Sequence, residues 1–75
     1  MSNPLNPLAE VVAVSLKDAG LSENAASIQS GIPRQTLRRR LVSGDFKIFS
    51  ELWPIARLLN TTPSELQALA EERAA

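Results

Sequence analysis

Three consecutive residues, Gly31-Ile32-Pro33, constrain this chain more than any other feature, because they cut a helical stretch into two helices joined by a tight corner. Glycine tolerates the reversed backbone where a Cβ would clash. Pro33 fixes its own φ and pushes Ile32 out of helical geometry, and its missing N–H costs nothing at the first position of a new helix. Upstream, Ser22 is an N-cap and Glu23 is favourable in the first turn against the helix dipole, so a short helix spans Glu23 to Ser30. Downstream, a second helix starts at Pro33 and runs to about Val42. Leu37 and Leu41 share its inner face, and Ile32 plugs the corner.

The rest of the chain also reads as short helices. Asn6 is an N-cap with Pro7 at the first helical position, after a flexible lead-in over residues 1–6. Leu8, Val11, Val12, Ser15 and Leu16 follow a 3.6-residue period, so a scaffold helix spans Pro7 to Ala19 and ends at a left-handed Gly20. Ser43-Gly44-Asp45 is a loop, and Phe46, Ile48 and Phe49 are expected to anchor it to the core. Ser50 caps a fourth helix, Glu51 to Leu59, with Pro54 in its second turn; a start near Lys47 would instead make Pro54 a kink. Thr62-Pro63-Ser64-Glu65 is a capping box opening a fifth helix to about Arg73, which buries Leu66, Leu69 and Ala70. Nothing reads as a strand. The expectation is one all-α domain over residues 1–75, a compact bundle of five helices with a helix-turn-helix at about 22–42.

Composition narrows the chemistry. With 75 residues there is room for one modest core. The chain has no cysteine and no histidine, which removes disulfides, thiolate chemistry, the usual zinc ligands and the usual general base. Ser15, Ser22 and Ser30 have no basic partner in view, and the carboxylates are scattered. No enzyme, metal, cofactor or small-molecule substrate is expected. Apolar runs fall far short of a membrane span, so a cytoplasmic, nucleoid-associated protein is expected.

The formal net charge is zero, yet the charge is unevenly placed. From Arg34 to Lys47 the positives are Arg34, Arg38, Arg39, Arg40 and Lys47, and Asp45 is the only negative, leaving +4 there and −4 elsewhere. One basic face on a neutral protein points to nucleic acid. Arg34 and Arg38 are one turn apart, with Gln35 beside them, on the face opposite Leu37 and Leu41. Arginine and glutamine pair with base edges in bidentate fashion, so Arg34, Gln35 and Arg38 are assigned to bases, with Arg39 at the edge of that face. Arg40 lies about 100° further round and is assigned to phosphate or solvent. Ser22 and Asn24 at the start of the preceding helix, with Thr36, Ser43, Gly44 and Lys47 around the reading helix, complete a backbone-contacting set. Phe46, Phe49 and Trp53 read as core or loop anchors; a partly exposed Trp53 would suggest a dimer surface instead.

The segments SGIPRQTLRRRL and IARLLNTTPSEL resemble the lambda-repressor/Cro-type helix-turn-helix family, the xenobiotic-response-element-like regulators, particularly small phage or actinobacterial members. The resemblance runs roughly from Leu8 to Leu69, and departs from the family pattern at Glu23, Ala26-Ser27, Ile28 and Pro54. It implies a five-helix domain that acts on operator DNA as a Cro-like or immunity-type repressor, commonly a homodimer on paired half-sites. Two other functions suit the same fold: an antitoxin-like module that holds a protein partner, and an architectural or recombination-directionality factor.

Overall fold

A computed structural model describes residues 6–74. They form helices α1 (Pro7–Asp18), α2 (Glu23–Ser30), α3 (Arg34–Ser43), α4 (Trp53–Leu58) and α5 (Pro63–Ala74), with a wide π-turn, Ile48–Leu52, leading into α4. Among the described residues there is no strand. None of these helices is long and apolar enough to cross a membrane. The expected lead-in at 1–6 lies outside the described residues apart from Asn6.

Asn6 starts α1 as expected: its Oδ1 accepts from the Leu8 N–H at 2.8 Å and the Ala9 N–H at 3.4 Å. The helix ends at Asp18, and Gly20 in the left-handed region turns the chain so that the Leu21 N–H reaches the Leu16 carbonyl. Ser22 caps α2 by accepting from the Ala25 N–H at 3.1 Å. Gly31 then reverses the chain at φ 80°. Two serines to which the sequence pattern gave no part in the turn fasten this corner. The Ser27 hydroxyl donates to the Ile32 carbonyl at 2.5 Å, and the Ser30 oxygen accepts from the Ile32 N–H at 3.2 Å. Both polar groups of the Ile32 backbone are thus satisfied while its side chain is buried in the core.

Pro33 precedes α3 rather than beginning it. Its ψ of 140° is extended, and its carbonyl accepts the first helical bond from the Leu37 N–H. At the far end α3 runs through Ser43, so the loop begins at Gly44. Gly44 is left-handed, and a Cβ there would collide with the Asn6 side chain, so this glycine lets the end of α3 sit against the start of α1.

The largest departure from expectation follows. Ser50 caps nothing; the chain enters the π-turn at Ile48 with no side-chain cap. Pro54 supplies the reason. In a regular helix its ring would press on the Ser50 carbonyl and leave it without a donor. In the π-turn the Leu52 N–H reaches the Lys47 carbonyl and the Trp53 N–H reaches the Ile48 carbonyl, each spanning one residue more than an α-turn. Pro54 then falls at the second position of α4, where no N–H is required. The extra residue also rotates the inward face by about 100°. Leu52, Ile55 and Ala56 enter the core, whereas Ile48 and Phe49 do not, contrary to the anchoring expected of them. Only Phe46 of the three is buried; Phe49 is 85% exposed.

At α5 half of the expected capping box forms. Thr62 Oγ1 accepts from the Glu65 N–H, but the Glu65 carboxylate turns to the Thr61 hydroxyl. Leu66 and Ala70 are buried one turn apart, while Leu69, about 60° off that line, is half exposed instead of buried. The fully buried Val12, Leu37, Leu52, Ile55 and Leu66 come one each from α1, α3, the π-turn, α4 and α5, which makes one core. α5 packs chiefly on α1, α3 on α1 and α2, and α4 on α2.

Candidate nucleic-acid interface

α3 has two sharply different sides. Leu37 has no exposed surface and Leu41 packs partly buried against the core, which fixes the helix's rotation. On the other side Arg34, Gln35, Arg38 and Arg39 are all exposed. The first three line a shallow open depression together. The spacing alone placed these residues on one face; the burial of Leu37 turns that face outward. Among the described residues three ion pairs form, and none engages Arg34 or Arg39.

Arg40, assigned to phosphate or solvent, makes a contact within the fold: its Nε lies 2.9 Å from Glu51 Oε1, with the two side chains 23% and 9% exposed. The same Glu51 oxygen accepts from the Lys47 N–H at 2.8 Å, so one buried carboxylate ties the last part of α3 to the entry of the π-turn. Burial alone would raise the Glu51 carboxyl; the Lys47 N–H, the hydrogen bond from Arg40 and the positive charges of Arg40 and Lys47 together outweigh it and hold the group below its ordinary value. A carboxyl lowered in the folded state adds stability that is present above its unfolded value and disappears as pH falls through the folded one. The melting temperature is therefore expected to decline below about pH 4.5. Glu51→Gln, less stable at neutral pH, should show a shallower decline in a pH series of thermal melts.

Arg38 carries a different pair. Its Nε is 3.3 Å from Glu23 Oε1, and the side chains are 65% and 42% exposed. Glu23 is the first residue of α2, so its carboxylate stands where a phosphate was expected to meet free N–H groups beside Ser22 and Asn24. Ser22 and Asn24 are both exposed. Thr36 is half-buried on the shoulder of α3, Ser43 accepts from the Asp45 N–H at 3.2 Å, Gly44 is half-buried against Asn6, and the Lys47 side chain is exposed.

Neither Glu23 nor Glu51 was singled out from the sequence as a partner of the basic helix. They lie 15 and 11 residues from their arginines, beyond any local spacing rule. Among the described residues no cluster of three or more His, Cys, Asp or Glu side chains is arranged to hold a metal ion. The molecule measures 32 × 27 × 23 Å. No protein-family model, no curated protein and no solved structure matches this chain.

Proposed function

We propose that this chain is a non-enzymatic, sequence-specific double-stranded DNA-binding regulator of transcription that uses α2, the Gly31 corner and α3 as a helix-turn-helix. It would act as a Cro-like or immunity-type repressor, occluding a promoter or operator, in line with the lambda-repressor/Cro-type resemblance of its sequence. The observation that carries this reading is the two-sided α3. Arg34, Gln35 and Arg38 stand exposed together, with Arg39 beside them, while Leu37 is sealed in the core. Arginine and glutamine offer the bidentate donors that guanine and adenine edges accept in the major groove.

Ser22, Asn24, Thr36, Ser43, Gly44 and Lys47 flank this face and would meet the sugar–phosphate backbone. Arg40 serves as a brace rather than a direct contact. A single domain of this size would contact about one half-site, and a homodimer on paired half-sites a helical turn apart would supply the missing specificity. Exposed Phe49 and partly exposed Trp53, with Pro54 and Leu58 beside them, offer an apolar surface for that second protomer.

Selection from a random duplex pool followed by footprinting tests the proposal. One palindromic site is the expected result, and recovery of no preferred sequence refutes it. Binding to the selected site should weaken with salt by about 0.9 log units per contacted phosphate per log unit of salt, measurable by titration at several ionic strengths. The same apolar surface favours one second reading, a module that holds a protein partner. That reading requires partner binding to survive loss of Arg34 and Arg38 and to fail when Trp53 is changed.

A further inference from the structure

Two carboxylates meet the arginines of α3 in different settings. Glu51 holds Arg40 in a sheltered place and joins two elements of the fold. Glu23 holds Arg38 on the open surface, and an ion pair so exposed adds little to stability. Its placement matters more than its strength. Arg38 belongs to the trio that lines the depression on α3, and the atom it gives to Glu23 is Nε. The guanidinium is planar and rigid, so a contact at Nε restrains the plane and leaves the two Nη groups at its far edge as donors. Those paired Nη donors suit the O6 and N7 acceptors of one guanine. The carboxylate has a second effect. At the start of α2 it sets a negative charge on the duplex-facing side, and that charge opposes every phosphate regardless of sequence.

Resting on the DNA-binding reading above, we infer that Glu23 is a positioning and specificity-determining residue, which holds Arg38 by Nε towards one base pair and counteracts phosphate-driven binding to random duplex. Glu23 thus lowers total affinity while raising discrimination. Arg38 stays orientated before contact, so less side-chain freedom is lost on binding the correct base.

The test uses the full chain as wild type, Glu23→Ala, Arg38→Ala and the double variant, each first checked for an unchanged helical melting profile. Alanine is chosen at position 23 because a glutamine oxygen could still accept from Arg38 Nε. Each is carried through duplex selection and then through competition titration of the selected site against random duplex. Arg38→Ala should flatten the preference at one base pair of the site. Glu23→Ala should flatten that same base pair, leave the others unchanged, and bind random duplex about three-fold tighter, the scale of one exposed ion pair. The double variant should flatten it no further than Arg38→Ala alone, as expected when two residues act through one contact. If Glu23→Ala keeps the wild-type preference where Arg38→Ala loses it, the role given to Glu23 is wrong while the reading of α3 stands. If Arg38→Ala flattens no position, or the wild type selects no sequence, the base-reading assignment itself fails and this inference falls with it.

Discussion

Arg38→Ala is expected to weaken binding to the selected operator by about 1–3 kcal/mol, with loss of discrimination confined to a single base pair. Arg34→Ala should do the same at a different base pair. Both side chains are exposed on the face opposite the buried Leu37, so their removal leaves no cavity and strands no buried partner. The folded structure should persist, and the loss should appear as affinity alone. Titration of each variant against the operator, every single-base change of it, and random duplex measures both quantities. Equal losses on operator and random duplex would mean that these arginines meet phosphate rather than bases.

Arg40→Ala, only two residues beyond Arg38 in α3, should behave in the opposite way. It removes the partner of a carboxylate whose side chain is only 9% exposed, and leaves Glu51 with the Lys47 N–H as its remaining support. Stranding one member of a mostly buried pair costs about 2–4 kcal/mol, somewhat under the range for a fully buried one because Arg40 keeps some solvent contact. For a 75-residue chain a loss of that size is a large part of the whole stability. Urea denaturation should therefore place Arg40→Ala well below the wild type and Arg38→Ala close to it. Replacing both partners, as Arg40→Met with Glu51→Leu, should recover part of the loss, because no charge is then stranded although the Lys47 N–H gives up its acceptor. A wild-type denaturation midpoint for Arg40→Ala would remove Glu51 from its bracing role. DNA affinity measured below the melting range then separates folding from contact: a properly folded Arg40→Ala molecule should keep its sequence preference.

These two arginines, Arg38 and Arg40, are adjacent in kind and nearly so in sequence, and nothing in RRR tells which of them is a brace. Helical phase separated them correctly into different faces. It did not reveal that Arg40's face meets a carboxylate, because Glu51 reaches it only through the π-turn that Pro54 enforces. The same turn explains why Phe49 is outside and Glu51 inside, against the usual preference of both residue types. Leu69 failed for a simpler reason. A period identifies a stripe, but the width of the stripe that is covered depends on the neighbouring helices, and here Leu66 and Ala70 are buried while Leu69, at the edge of the stripe, stays half exposed.

Caps, corners and the inward stripe of α3 follow from the order of residues alone, since they depend on φ restriction and hydrogen bonds spanning a few positions: Asn6, Ser22, Gly31 and Thr62 act within four residues of themselves. The partners of Arg38 and Arg40, the π-turn's rotation and the exposure of Phe49 and Leu69 emerged only in the folded chain. Each is a contact, or a missing contact, between segments whose separation in space is fixed by packing all the helices at once, and no local periodicity encodes that separation.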